Sequence, residues 1–363
     1  MARVAEVEMK LPNGQRWIDR LDAEHDNHRA ALRWALDGAD PDLGLGLAAR
    51  LWLVWWLRRP LSEARRWLAE ALDRTPPVAS DVRALALDAA GFAGEQGEDG
   101  SALLEESIRC AREAGCLPIQ ALATTNLSGT LPSARRDEMV PLAQEGVRLA
   151  RLSGEQWILS VTLNNLGEAY REAGDLGSAT LAYEESLTLG REGGNSPLVA
   201  LVLTNLAEIA IVSDLFSRAQ ELSRMALELA EKEGDRRHVS GALTVLGWAA
   251  LGEGLFDRAV GHFREALALL RDLGQALWAV NVLHGLAGVA AGAGDAIRAA
   301  RLEAVAARSD QIMGHAPSAA DSGIHTRYLD ELRASTSSAV WEAAADEGDA
   351  MSLEDGIAYA LSD

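Results

Sequence analysis

The chain has 363 residues, and its 48% apolar composition can fill a sizeable core, which excludes an intrinsically disordered protein. With 34 Lys and Arg residues against 54 Asp and Glu residues, its formal net charge is −20. Such an acidic surface repels phosphate backbones and anionic membranes, so we expect neither nucleic acid nor membrane among its partners.

Residues 1–14 contain no apolar stretch of the kind found in secretory signals, and we interpret them as a flexible tail of a cytoplasmic protein. Cys110 and Cys116 are the only cysteines and match no zinc-binding spacing, so we interpret them as reduced structural thiols. The two lysines, Lys10 and Lys232, lie outside any Walker A motif, which excludes a P-loop ATP site.

Residues 15–80 are predicted to form an N-terminal helical cap. The segment 17–36 has the periodicity of one amphipathic helix, and further helices are predicted near 43–57 and 61–73. The inner stripe of the first helix would consist of Leu21, His25, His28, Leu32 and Ala35. Six of the ten tryptophans lie in the first 67 residues, and we interpret them as core between these helices. The alternative is an exposed patch that a preceding domain covers.

An internal repeat of 40 residues organises the segment 81–315, which we predict to contain about six helix pairs. The repeat is visible as ladders of identical residues: Gly154, Gly194, Gly234, Gly274 and Gly314; Ala179, Ala219, Ala259 and Ala299; Leu166, Leu206, Leu246 and Leu286. The glycines would end each second helix with a positive φ, and the alanines would lie where helices cross closely. Residues 316–363 are predicted to form C-terminal capping helices, with one near Trp341 and one over 351–361.

The best two units resemble tetratricopeptide repeats (TPRs). The first has Leu166-Gly167, Tyr170, Ala179 and Tyr183, and the second has Leu246-Gly247, Ala250, Ala259 and Phe263. The fold class predicted is therefore all-α, a TPR-like helical-repeat solenoid with helical caps at both ends. The resemblance implies a right-handed superhelix whose first helices line a concave groove.

The flanking segments resemble the C-terminal part of large bacterial signal-transduction ATPase transcriptional regulators, of the LuxR-type or AfsR-like kind. They read WIDRLDAEHDNHRAALRWAL at 17–36, LSEARRWLAEAL at 61–72 and AMSLEDGIAYAL at 350–361. His28 stands where that family usually has Leu. The resemblance implies a sensor region whose partner is a regulatory ATPase domain, in cis or in trans, and leaves open whether this chain is a fragment or free-standing.

Nine side chains are predicted to line the concave groove and bind a ligand. They are Asn126, Asn164, Asn165, Glu168, Arg171, Asn205, Glu208, Trp248 and His284. A ladder of Asn amides suits an extended peptide, because each amide offers a donor and an acceptor to a backbone without a strand partner. The alternative is that the amides hydrogen-bond neighbouring helices. Arg171 lies at helical spacing from Glu168 and can pair with it.

We therefore predict non-enzymatic recognition of a peptide, a protein segment or a small inducer. The sequence contains no G-x-S-x-G, H-E-x-x-H or glycine-rich phosphate loop. No cofactor or metal is predicted, because His25 and His28 lack further ligands at a suitable spacing. The first alternative is a free-standing TPR adaptor. A more remote one is a small-molecule enzyme that uses Glu168, Glu208 and His284 for acid–base chemistry.

Overall fold

The computed structural model describes residues 14–58, 61–94, 100–313 and 319–362. Within these ranges the chain forms nineteen α-helices, a π-helical turn at Ala35–Ala39, a 3-10 helix at Ser133–Glu138 and no strand. None of the described helices combines the length and the apolar character that crossing a membrane requires. Thirteen of the residues predicted as a flexible tail, 1–13, lie outside the described ranges, and Gly14 already begins the first helix.

The α-helices, in chain order, are α1 Gly14–Ala23, α2 His25–Trp34, α3 Pro41–Arg58, α4 Leu61–Arg74, α5 Asp81–Phe92, α6 Ser101–Glu113, α7 Leu117–Thr130, α8 Met139–Ser153, α9 Gln156–Glu172, α10 Leu176–Glu192, α11 Ser196–Val212, α12 Phe216–Lys232, α13 Arg236–Gly252, α14 Phe256–Leu273, α15 Ala276–Gly292, α16 Ala296–Met313, α17 Ala319–Ser335, α18 Ser338–Asp349 and α19 Leu353–Leu361. Helices α5 to α16 form six consecutive pairs, which we number repeats 1 to 6. The chain divides into two compact units, Met1–Val202 and Leu203–Asp363, with the division inside α11.

The first unit begins with helices α1 to α4, whose core contains Trp55 and Trp67, whereas Trp34, predicted to be part of that core, is exposed. The single helix predicted over 17–36 is instead two α-helices that meet at Glu24, followed by the π-helical turn. Gly38 in that turn has a φ of 116°, a conformation open mainly to glycine, and it redirects the chain into α3. Of the predicted stripe, the three apolar residues are buried and the two histidines are half-buried.

Left-handed residues end the second helices of repeats 2 to 5, as the glycine ladder predicts, and also the first helices of repeats 3 to 6. Gly154, Gly194, Gly234 and Gly274 follow second helices and have φ values between 63° and 72°, and Gly314 lies outside the described residues. First helices end in the same way at Gly174, Gly254 and Gly294, whereas Asp214, with a φ of 56°, takes this position in repeat 4. The first helices of repeats 3 to 6 therefore begin at residues 156, 196, 236 and 276, one period apart.

Within a repeat, the two helices interlock through a small residue on the first helix and a large one on the second. A Cβ atom on Gly167 would lie 2.5 Å from the ring of Tyr183, and one on Gly247 would lie 2.6 Å from Phe263. Where the second helix carries a smaller side chain, the first helix has Ala instead of Gly: Ala207 with Ser223, and Ala287 with Glu303. The alanine ladder at 179, 219, 259 and 299 is fully buried.

The second unit ends with α17 to α19. Helix α17 packs on α15 and also contacts α13, the first helices of repeats 6 and 5, whereas α18 packs on the second helix α16. Gly288 in α15 permits this close approach, since a Cβ there would lie 2.9 Å from the Cβ of His325 in α17. Helix α19 begins with a capping box, in which Ser352 and Asp355 each bond the other's backbone N–H.

We expect Gly247→Ala to lower the free energy of unfolding by about 1–3 kcal/mol, because the new methyl group would overlap the ring of Phe263. Gly261→Ala is the matched control, since Gly261 lies in α14 and a Cβ added there would meet nothing within 4 Å. That substitution should stabilise the helix by about 0.5–1 kcal/mol. Chemical denaturation followed by circular dichroism measures both changes, and equal effects would contradict the interlock.

Candidate functional site

The nine predicted groove residues divide between the two units and between two degrees of burial. In the first unit Asn126 and Asn164 are buried, whereas Asn165, Glu168 and Arg171 are half-buried. In the second unit Asn205, Trp248 and His284 are buried, and Glu208 is half-buried. All nine lie on first helices, and the partly exposed ones are those that a ligand could reach without a change of structure.

In the first unit, a chain of side-chain hydrogen bonds crosses the first helices of repeats 1 to 3. Asn126 donates to Asp88 Oδ1 at 2.9 Å, and Asn165 donates to Asn126 Oδ1 at 3.0 Å. Asn164 in turn donates to Asn165 Oδ1 at 3.3 Å. Asn126 and Asn165 therefore bond neighbouring helices, which is the alternative left open by the sequence, and Asn165 is the one half-buried member of the chain of hydrogen bonds.

Asp88 is the buried end of this chain of hydrogen bonds. Its side chain is fully buried, and among the described residues its Oδ2 atom has no hydrogen-bond partner. Burial raises the pKa of Asp88 to about 7, because desolvation disfavours the carboxylate more than the hydrogen bond from Asn126 favours it. Asp88 is therefore a buried acid that is partly neutral at neutral pH.

Glu168 is held in place by residues from both helices of repeat 3. Tyr183 in α10 donates from its hydroxyl to Glu168 Oε1 at 2.9 Å, and Arg171 donates to Oε2 at 2.7 Å, as the helical spacing predicts. The carboxylate side chain is 33% exposed. Its two oxygens are thus fixed in a single orientation at the surface, beside Asn165 one turn earlier on the same face.

In the second unit, His284 lies between two carboxylates. Its Nδ1 atom is 2.8 Å from Glu303 Oε2, and its Nε2 atom is 2.9 Å from Asp310 Oδ2. Burial alone would lower the pKa of His284, but hydrogen bonds to Asp310 and Glu303 raise it to about 9. The imidazole and the two acids therefore form a charged triad beneath helix α17.

The ring of His325 packs on His284 and on Trp248. The ring of His325, from α17, lies 5.1 Å from that of His284 and 5.9 Å from that of Trp248. Trp248 also packs edge-on against Phe263 at 5.4 Å and donates from its indole N–H to Asn281 Oδ1 at 3.0 Å. Trp248 is therefore part of the core beneath α17, with its polar atom satisfied.

A cleft of about 240 Å³ opens beside Glu303, between helices α16, α17 and α18. Thr326, Asp330 and Arg333 of α17 line one wall, and Trp341 of α18 lines another. Glu303 is thus in contact with His284 on one side and with this cleft on the other.

Sequence reasoning missed Glu303, Asp310 and His325, although the repeat carries a signal for the first two. One period earlier, Glu303 corresponds to Phe263 and Asp310 corresponds to Leu270, both buried apolar residues. Two carboxylates at positions that pack the core of earlier repeats indicate a local partner of opposite charge. His325 carries no such signal, because α17 has no place in the 40-residue register.

Comparisons with known proteins give only distant similarities. No protein-family model matches the chain, and a search of curated proteins finds no match. Similar solved structures include BtubC (BKLC) from P. vanneervenii, which is 23% identical with a TM-score of 0.47, over 59% of this chain and 89% of that chain. A Rap protein complexed with competence and sporulation factor is 10% identical with a TM-score of 0.49, over 90% of this chain and 81% of that chain.

A third similar structure is a circular tandem repeat protein with novel repeat topology. It is 16% identical with a TM-score of 0.22, over 99% of this chain and 95% of that chain. At such identities and TM-scores, these likenesses carry no conclusion about function.

We expect the stability of the first unit to fall as the pH rises from about 4 to above 7, because Asp88 must then ionise while buried. The pKa of Asp88 is higher in the folded state than in the unfolded state, so the neutral acid contributes to stability at low pH. This contribution is lost as the pH rises through the pKa of the folded state. Asp88→Asn should remove the dependence and stabilise the chain at pH 8 by up to about 4 kcal/mol.

Denaturation curves of the two proteins at pH 4, 6 and 8 measure this difference. The exposed Asp137→Asn variant is the control and should follow the parent chain at every pH. Parallel curves for Asp88→Asn and the parent chain would show that Asp88 is not a buried acid.

Proposed function

We propose that the chain is a non-enzymatic recognition module that binds an extended, basic peptide or protein segment on the first-helix face of repeat 3. The observation that carries this proposal is Glu168, a partly exposed carboxylate fixed by Tyr183 and Arg171. Because the chain carries a net charge of −20, its field attracts cationic partners toward such a group.

The neighbours of Glu168 suit the backbone of a peptide. Val161, Asn165 and Glu168 lie at i, i+4 and i+7 on α9 and are all half-buried, so they form one stripe with apolar, amide and carboxylate character. The amide oxygen of Asn165 has two lone pairs and accepts one hydrogen bond from Asn164. It can accept a second from a backbone N–H of a segment that lies along the stripe, while Glu168 accepts from a Lys or Arg side chain.

His284 supports recognition over acid–base catalysis. A general acid or base needs a nitrogen that faces the substrate, and both nitrogens of His284 are within 2.9 Å of carboxylate oxygens in the buried triad. The remaining members of the predicted acid–base set, Glu168 and Glu208, lie in different units of the chain.

The setting we propose is the C-terminal sensor region of a bacterial signal-transduction ATPase regulator, on the basis of the flanking phrases at 17–36, 61–72 and 350–361. In this setting, a bound segment would favour one arrangement of the stacked repeats, and that population shift would reach the ATPase domain. A free-standing adaptor would bind the same segment and would leave the ATPase activity of an added regulator unchanged.

Selection of peptides from a displayed random library on the immobilised 363-residue chain tests the proposal. We expect the selected peptides to be enriched in Lys and Arg, and their affinity, measured by fluorescence anisotropy, to fall with added salt. Glu168→Gln should weaken binding by about two- to fivefold, the range for a partly exposed charge pair.

Glu184→Gln is the matched control, because Glu184 is an exposed glutamate on α10, the second helix of the same repeat. It should bind as the parent chain does. Equal losses in both variants would mean that only net charge attracts the peptides, and selection of neutral or acidic peptides would exclude the proposed ligand.

A further inference from the structure

We propose that His284, Glu303 and His325 form a binding site for one divalent transition-metal ion, of which Zn²⁺ is the representative, and that this ion ties helix α17 to repeat 6. One nitrogen or carboxylate oxygen from each residue lies within 4.8 Å of the other two. His284 Nδ1 is 2.8 Å from Glu303 Oε2, and His325 Nε2 is 3.9 Å from Glu303 Oε1. Ligands at about 2.0–2.2 Å from a tetrahedral Zn²⁺ are about 3.3 Å apart, so small side-chain shifts complete the site.

The donor set selects the class of ion. Two imidazoles and one carboxylate suit Zn²⁺, Co²⁺ and Ni²⁺, whereas Mg²⁺ and Ca²⁺ prefer sites made of oxygen atoms. The three ligands come from three helices, α15, α16 and α17, so an ion bound to all of them would cross-link these helices. The bound ion would replace the proton that His284 Nδ1 shares with Glu303, and that proton would be released to solvent.

Asp310 is the carboxylate partner that metal-binding histidines usually have on their other ring nitrogen. Its Oδ2 atom is 2.9 Å from His284 Nε2, and its side chain is 7% exposed. A carboxylate on one ring nitrogen orients the imidazole and directs the other nitrogen, here Nδ1, toward the metal. Glu303 and Asp310 also place two negative charges around His284, which a divalent cation would neutralise.

The repeat itself shows that these residues do not serve ordinary packing. At the position of His284, repeats 4 and 5 have Thr204 and Thr244, and at the position of Glu303 they have Ser223 and Phe263. The acid and the imidazole therefore occur together only in the repeat that α17 covers. Gly288 opens the space through which His325 approaches them.

The cleft beside Glu303 gives the ion a way in and leaves room for a fourth ligand. The Glu303 side chain is 26% exposed, whereas those of His284 and His325 are 4% and 5% exposed. A water molecule from the cleft would complete a tetrahedral site of three protein ligands.

Isothermal titration of the chelator-treated, tag-free 363-residue chain with Zn²⁺ tests this proposal, and the visible absorption of bound Co²⁺ reports the coordination. We expect one saturable site per chain that Mg²⁺ in excess does not occupy. His325→Ala and Glu303→Gln should each remove it, and Asp310→Asn should weaken Zn²⁺ binding by about 10- to 100-fold. His262→Ala, which changes a half-buried histidine on α14, is the control and should leave binding unchanged.

Hydrogen exchange gives a second measurement, whose main readout is made on the parent chain and therefore does not depend on the folding of a variant. In the parent chain, Zn²⁺ should slow amide exchange in α17, and His325→Ala, checked for folding by circular dichroism, should show no such change. The proposal is overturned if the folded parent chain binds no stoichiometric Zn²⁺, or if both His325→Ala and Glu303→Gln retain the site. These readouts are independent of peptide binding on repeat 3.

Discussion

In repeats 3 and 5, the close approach of the two helices depends on a glycine of the first helix that faces an aromatic ring of the second. Glycine faces the ring at Gly167 and Tyr183 and again at Gly247 and Phe263, and alanine replaces glycine where the ring is absent. At the equivalent positions repeats 4 and 6 have Ala207 with Ser223 and Ala287 with Glu303, so the larger residue on the first helix accompanies the smaller one on the second. Each helix pair must also bury its outer face against the next repeat. A change in the spacing of one pair therefore alters the surface on which the next repeat packs.

In repeat 6, the second helix has a charged residue at the position of this contact. Its pair is Ala287 and Glu303, and Glu303 does not fill the core as Phe263 does but turns to His284. A buried triad of this kind costs desolvation that its internal attraction only partly offsets, so stability alone does not explain it. Its members are the His284, Glu303 and Asp310 side chains, and the ring of His325 from α17 packs on that of His284. Gly288 makes the space for His325.

Periodic features were predictable from the sequence, and contacts outside the period were not. The left-handed glycines, the buried alanines and the Glu168–Arg171 pair follow from spacings along one helix or one repeat. The segment 17–36 has a strong helical period, yet it breaks at Glu24, because periodicity reports a face and not the continuity of a helix. The place of α17 on α15 depends on tertiary packing alone, so the surroundings of His284 could not be predicted from its position in the repeat.

The amide chain of the first unit joins buried structural residues to the surface that we propose for recognition. Asp88 and Asn126 are buried and share a hydrogen bond between repeats, so their side chains cannot leave without exposing unsatisfied polar groups to the core. Asn165 continues the same chain of hydrogen bonds and is half-buried. Glu168 lies one turn later on α9 and accepts a hydrogen bond from Tyr183. The buried members thereby fix the orientation of the exposed ones before any partner arrives. In the proposed recognition, binding at this face would therefore cost less side-chain entropy than binding at the more exposed second helices.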